Sequence, residues 1–266
     1  MITATNPRRT FTAIAWWWGL SVLLFPCLPA RAYLADSYDA RVADLGTLEL
    51  ELQPMGYGFE QDESFHNQLI APSLIAYIGF ANDFDVLFIS RLYNEIASAK
   101  PLVETRESAV FVRAMLRRGS YNDESGPSLQ LVAGPVLPTA SFLPQPSLAG
   151  DFGMSVGLVA SWSLPLGTLH HNDFVSLTSD RVAELFVSLA YEGPRAWTLR
   201  PYIEGWYDVD STAGSGLASG VVGAYWDLSD VAILEAGVRV GAYEDLSTEG
   251  EIRCALWLQV PVWQPR

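Results

Sequence analysis

The feature that most restricts how this chain can fold is an alternation of apolar with small or polar residues, sustained over stretches of about ten residues. From Phe152 to Trp162 every second residue is apolar: Phe152, Met154, Val156, Leu158, Ala160 and Trp162, with Gly153, Ser155, Gly157, Val159 and Ser161 between them. Successive side chains of a strand point to opposite faces, so this stretch has one oily face and one small, mostly polar face; a helix would scatter both sets around its circumference. The pattern returns at Leu48–Leu52, Ala183–Tyr191, Ala232–Val240 and Ile252–Val260. Such runs exceed the ~5–6 residues usual in soluble strands and suit a tilted bilayer crossing.

The aromatic residues favour a membrane wall over a soluble sandwich. On one face of 197–207, Trp197 begins and Tyr207 ends the series Leu199, Pro201, Ile203, Gly205; Phe152 and Trp162 bracket their own stretch. Ten residues tilted near 40° project to ~25 Å, the height of an apolar band flanked by aromatic girdles. The expected fold is therefore all-β, an antiparallel transmembrane β-barrel of about twelve strands. Alternation places eleven strands, near 46–53, 68–80, 83–93, 106–116, 128–135, 151–163, 181–191, 196–208, 216–227, 230–243 and 251–262. Bacterial single-chain barrels have even strand numbers. A twelfth strand is therefore expected over Thr168–Thr178, after a short turn at Leu164-Pro165-Leu166-Gly167, on parity rather than pattern. Longer outer loops are expected near 54–67, 94–105, 136–150, 178–181, 209–215 and 244–250; the 117–127 connection is long for an inner turn.

The N-terminus reads as an export signal. Arg8 and Arg9 precede an uncharged, mostly apolar run from Thr10 to Pro29, which ends in the small-x-small triplet Ala30-Arg31-Ala32. This predicts a cleaved leader over 1–32 and a single outer-membrane barrel domain over 33–266. The whole chain carries a net charge of −14, and losing Arg8, Arg9 and Arg31 leaves the mature chain more acidic. No nucleic-acid partner is expected of such a surface. Once Cys27 leaves with the leader, Cys254 stands alone, which excludes an intramolecular disulfide and a multi-cysteine zinc site.

No catalytic set emerges. The three histidines are His66, His170 and His171, and the adjacent pair would face opposite sides of a strand. No phosphate-binding loop is present; no enzyme activity, cofactor or metal is expected. The polar faces are more informative. With the apolar faces against lipid, Glu49, Glu51, Arg91, Arg113, Glu184, Arg200, Tyr202, Glu204, Glu235, Arg239 and Arg253 point into the lumen, since a charged side chain facing lipid near the midplane costs ~2–4 kcal/mol. They line a polar channel or fill the barrel as a salt-bridged plug. Arg200 and Glu204, with Tyr202 between them, form the first constellation to test; Glu235 and Arg239 form the second.

Several short stretches, in order along 45–263, resemble one known group. Ala76–Val86 resembles its strand–turn–strand, Pro127–Leu131 with Leu137-Pro138-Thr139 its strand and corner, and His171-Asn172 an Asn-bearing strand. Tyr202-Ile203-Glu204 and Ala224–Ser229 resemble its later hairpins. The group comprises outer-membrane proteins described as phenol-degradation meta-pathway transporters. The resemblance implies a barrel of about twelve strands that passes small, hydrophobic or aromatic molecules across the outer membrane. Its expected partners are outer-membrane lipid, the outer-membrane assembly machinery and a small solute; a non-conducting structural or surface-exposed barrel is the alternative. The assembly machinery reads a terminal aromatic in such barrels. Here either Trp263 serves, followed by Gln264-Pro265-Arg266, or insertion follows a less conventional route.

Overall fold

The alternating segments pair into one antiparallel sheet that closes on itself. A computed structural model describes residues 38–61, 66–70, 72–95, 103–143, 147–149, 152–179, 183–210, 216–243 and 248–263; the predicted leader lies outside them. In chain order the strands are β1 (Thr47–Gln61), β2 (His66–Ile70), β3 (Ser73–Ala81), β4 (Phe84–Glu95), β5 (Val103–Arg117), β6 (Ser128–Val136), β7 (Thr139–Leu143) and β8 (Ser147–Ala149). They continue as β9 (Gly153–Leu164), β10 (Gly167–Thr178), β11 (Ala183–Glu192), β12 (Leu199–Asp210), β13 (Gly216–Ser229), β14 (Ala232–Tyr243) and β15 (Thr248–Pro261).

Twelve of these strands make the wall. From β1 the hydrogen-bonded order runs through β3, β4, β5, β6 and β9 to β15, and β15 pairs back onto β1 from Thr47↔Pro261 to Gln61↔Thr248. Closure leaves the wall without an edge, as a sheet in lipid requires. The other three strands extend it. Beyond Pro72, β2 carries the line of β3 along β1, and beyond Leu137-Pro138, β7 carries the line of β6 along β5, with β8 paired to β7. The strand expected from parity is present: β10 turns tightly out of β9 at Gly167↔Leu164 and pairs with it along its whole length.

The outer ends are more ordered than the sequence suggested. Much of the expected loops 54–67, 94–105 and 136–150 is strand. Pro54 interrupts the alternation of β1, but a bulge between Leu52 and Met55 absorbs it and pairing resumes to Gln61, the usual way a sheet tolerates proline.

Both ends of the wall lie at one rim, with the tight turns at 82–83, 165–166 and 230–231; in outer-membrane barrels this is the periplasmic rim. Gly46 sits at the seam with φ +81°, and its carbonyl accepts the N–H groups of Val262 (2.8 Å) and Trp263 (3.2 Å). A Cβ there would strike the Trp263 backbone, so glycine is required where the first strand meets the last.

Exposure reverses the order of a soluble protein. Met154, Val156 and Leu158 face outward at 52%, 49% and 42% exposed, while Ser155 and Val159 face inward at 5% and 0%. Trp197, Trp226 and Trp263 project outward at the periplasmic end, and Tyr57, Phe152 and Tyr207 at the other. An apolar outer belt with aromatics at both ends, over a polar interior, is a wall built for lipid.

Candidate functional site

The lumen is the large enclosure such a wall makes, and its lower half is filled. The segment Tyr38–Asp44, ahead of β1, does not leave into the periplasm; it climbs inside the barrel from the periplasmic rim to mid-height. Its backbone is held by side chains from around the wall. Asn172 of β10 accepts the Tyr38 N–H (2.8 Å) and donates to the Tyr38 carbonyl (3.0 Å). Ser161 of β9 accepts the Ala40 N–H (2.8 Å), and Asp85 of β4 accepts the Ala43 N–H (2.6 Å). Gln130 of β6 donates to the Arg41 carbonyl, and Asn122, in the 3-10 turn Ser120–Asn122, donates to that of Ala40 (3.0 Å). Arg41 pairs with Glu49 at 3.1 Å. Gly79 of β3 faces the carbonyls of Ala43 and Asp44, where a Cβ would collide with them; the bare backbone lets the segment lie flat on the wall.

Ion pairs and aromatic rings complete the filling. Arg113 and Asp85 stand opposite one another on β5 and β4 and form a two-pronged pair, Nε to Oδ1 at 2.8 Å and Nη2 to Oδ2. Both side chains are 0% exposed, and the guanidinium lies 4.3 Å above the Tyr77 ring, itself stacked on Trp257. Glu235 is a second centre: it accepts from Tyr202 Oη (2.8 Å) and Trp257 Nε1 (3.2 Å) and lies 3.5 Å from Arg253 Nε. Tyr202 stacks on Tyr225 at 4.6 Å and fits because Gly223 of β13 and Gly237 of β14, the next two strands along the wall, leave room for its ring. Arg200 binds Glu192 and, at 2.8 Å, Asp227.

The long connection between β5 and β6 closes the bottom. It folds under the barrel rather than away from it, placing Tyr121 inside at 2% exposed, edge-on to His170 and donating to Asp39 of the segment. Arg195, in the turn after β11, caps that ring at 3.7 Å. Burial, partly offset by Arg195, pushes the Tyr121 hydroxyl well above its ordinary value, so it remains the donor to Asp39. His170 Nδ1 lies 2.8 Å from Ser161 Oγ, but that oxygen is engaged by Ala40 and the pair is fully buried.

Next to Tyr38 the lining changes character. Tyr38 meets Phe174 edge-on at 5.4 Å, Phe174 meets Phe186, and Ile75, Ile89 and Val136 are half-buried around them. On β14, Arg239 pairs with Glu249 and approaches Glu251 at 3.9 Å, lying over the Trp206 ring.

Glu49, Glu51, Arg91, Arg113, Arg200, Tyr202, Glu204, Glu235 and Arg253 are buried inside the wall, and Arg239 is largely so. Glu184 has the inward parity but sits near the outer mouth of β11, exposed. The pairing differs from the expected same-strand constellations. Residues four apart on a strand stand ~13 Å apart, so the ion pairs form across strands: Arg200 with Glu192 and Asp227, Arg239 with Glu249, and Glu235 with Arg253. Asp85, Gln130, Ser161, Asn172 and Trp257 also line the lumen, and the same alternation points them inward; four of them carry no charge, and Asp85 stands at the very start of its strand. Nothing in the sequence pattern singles out Tyr38–Asp44 or Tyr121.

No protein-family model and no curated protein matches the sequence. Among solved structures, the fold is similar to that of an outer-membrane channel from Pseudomonas putida F1, with a TM-score of 0.59 and 8% identity over 85% of this chain and 100% of that one. It is also similar to the translocator domain of the autotransporter NalP from Neisseria meningitidis, with a TM-score of 0.50 and 8% identity over 81% of this chain and 89% of that one. At these identities the likeness is one of fold: the chain has the architecture of outer-membrane barrels.

Proposed function

We propose that this protein is an outer-membrane channel or transporter for small molecules, and that the conformation described here is its closed state. The observation that carries the reading is the nature of the obstruction. Tyr38–Asp44 is not part of the wall; it is a tethered segment held to it by side-chain hydrogen bonds and by the ion pair of Arg41 with Glu49 at 3.1 Å. Moving it would open the barrel without breaking a strand ladder. The aromatic cluster of Tyr38, Phe174 and Phe186, in a lumen that also holds the Arg239–Glu249 pair, supports hydrophobic or aromatic solutes, as does the family resemblance. The outer-membrane location rests on the lipid-facing belt and the fold.

A second reading is favoured by one specific observation, the completeness of the lower packing: with Arg113, Glu235 and Tyr225 at 0% exposed, the barrel serves as a solid surface or structural element. Single-channel recording separates the two. Ala43 is fully buried against Asp85 and Gly79, so Ala43→Glu unseats the segment by bulk and by repulsion from the Asp85 carboxylate. The channel reading expects larger or longer-lived currents from Ala43→Glu than from the unaltered protein. A folded Ala43→Glu barrel that carries no current establishes the structural reading.

A further inference from the structure

The segment inside the barrel is held in an unusual way: the wall grips its backbone. Tyr38 N–H and carbonyl, Ala40 N–H and carbonyl, Arg41 carbonyl and Ala43 N–H are each met by a wall or turn side chain, from Asn172, Ser161, Asn122, Gln130 and Asp85. These groups belong to any peptide. Asn172 is the clearest case, because its amide presents an acceptor and a donor to the N–H and carbonyl of one residue, as a neighbouring strand would. Ala40 and Ala43 are fully buried and carry only methyl groups, and Gly79 presents no side chain to the carbonyls of Ala43 and Asp44.

We infer that the floor of the lumen is a binding site for a short peptide segment, which the chain's own N-terminal segment occupies as an internal ligand. The site spans about six residues and takes a chain bent at the third, where the Arg41 N–H closes on the Asp39 carbonyl at 2.9 Å. It requires free amide N–H and carbonyl groups and small side chains at the third and sixth positions. Glu49 and Tyr121 add preferences, for a cation at the fourth position and an acceptor at the second, since they engage Arg41 and Asp39. This rests on the channel reading only in that a peptide becomes a solute that competes with the plug. Binding itself needs only that the segment be displaced. While tethered, the segment competes at an effective concentration of order millimolar, so the unaltered protein presents the site to outside peptides only weakly.

The test uses the full chain carrying Ala40→Glu and Ala43→Glu together, confirmed as folded by its boiling-dependent gel mobility. The probe is a fluorescein-labelled heptapeptide with the sequence of residues 38–44, and the readout is fluorescence anisotropy. The expected result is saturable binding to the variant and at least tenfold weaker binding to the unaltered protein. Adding Asn172→Leu removes two hydrogen bonds, each worth about a factor of five, and weakens binding about 25-fold. N-methylation of the peptide at the alanine amides abolishes it. A folded variant that binds no peptide, or binds it equally well with Asn172→Leu or N-methylated amides, overturns the inference. If the double variant does not fold, Arg41→Glu replaces it, since it sets like charges against each other at Glu49 and leaves every strand residue unchanged. Current recordings on the same variant read the channel separately. Binding without current retains the peptide site and removes the channel reading; current without binding does the reverse.

Discussion

Replacing Arg113 by methionine tests whether the lumen is held by the pairings described. Both members of the Arg113–Asp85 pair are fully enclosed. Removing the guanidinium leaves a buried carboxylate that keeps the Ala43 N–H at 2.6 Å. Breaking a buried pair from one side costs about 3–5 kcal/mol, because the remaining charge is uncompensated. Asp85→Asn alone leaves the arginine buried, partly relieved by the Tyr77 ring at 4.3 Å; a desolvated cation–π contact is worth ~2 kcal/mol, so this variant should lose less. The double variant carries no charge at this pair, and the amide oxygen introduced by Asp85→Asn can still accept from the Ala43 N–H. Its loss should therefore fall to about 1 kcal/mol, the order of one net hydrogen bond. The assay is urea unfolding in detergent micelles, followed by the folded and unfolded gel bands. A loss under about 1 kcal/mol for Arg113→Met would refute the buried-pair account, as would a double variant as damaged as the sum of the singles.

Further outcomes follow from other contacts. Tyr202→Phe removes the hydroxyl that Glu235 accepts and should cost about 1.5–3 kcal/mol, the range for a hydrogen bond to a charged group, in the same unfolding assay. Leu158→Arg puts a charge on the lipid face of β9 and should lower folding stability in lipid vesicles by ~2–4 kcal/mol, whereas Ser155→Thr, on the inner face of the same strand, should change it little. Cys254 faces outward and is exposed; in vesicles it should react with a bilayer-soluble maleimide and resist a charged, membrane-impermeant one. Equal labelling by both would place β15 in the wrong register.

The wall and its facing were legible in the chain because they rest on a local rule. A strand in lipid must turn apolar side chains out and hide charges, so alternation alone assigned Arg113, Arg200, Glu235 and Arg253 to the inside. The even strand number required of a closed barrel then supplied β10, whose outward His171 and Asp173 and inward Phe174 blur its alternation. Pro54 and the glycines after it hid the outer half of β1, because a bulge is a compromise between two paired strands and neither shows it alone.

What fills the lumen was decided only by the tertiary structure. Arg200 finds Glu192 and Asp227 rather than Glu204 because a strand separates its own same-face residues by ~7 Å steps while neighbouring strands bring theirs together. Closure places residues 38–44 within reach of β4, β6, β9 and β10, as far as 134 positions away for Tyr38 and Asn172. A segment with no alternation and two alanines carries no sign of being a plug; it becomes one because twelve strands enclose a space that its backbone fits, lined by side chains that can satisfy its amides.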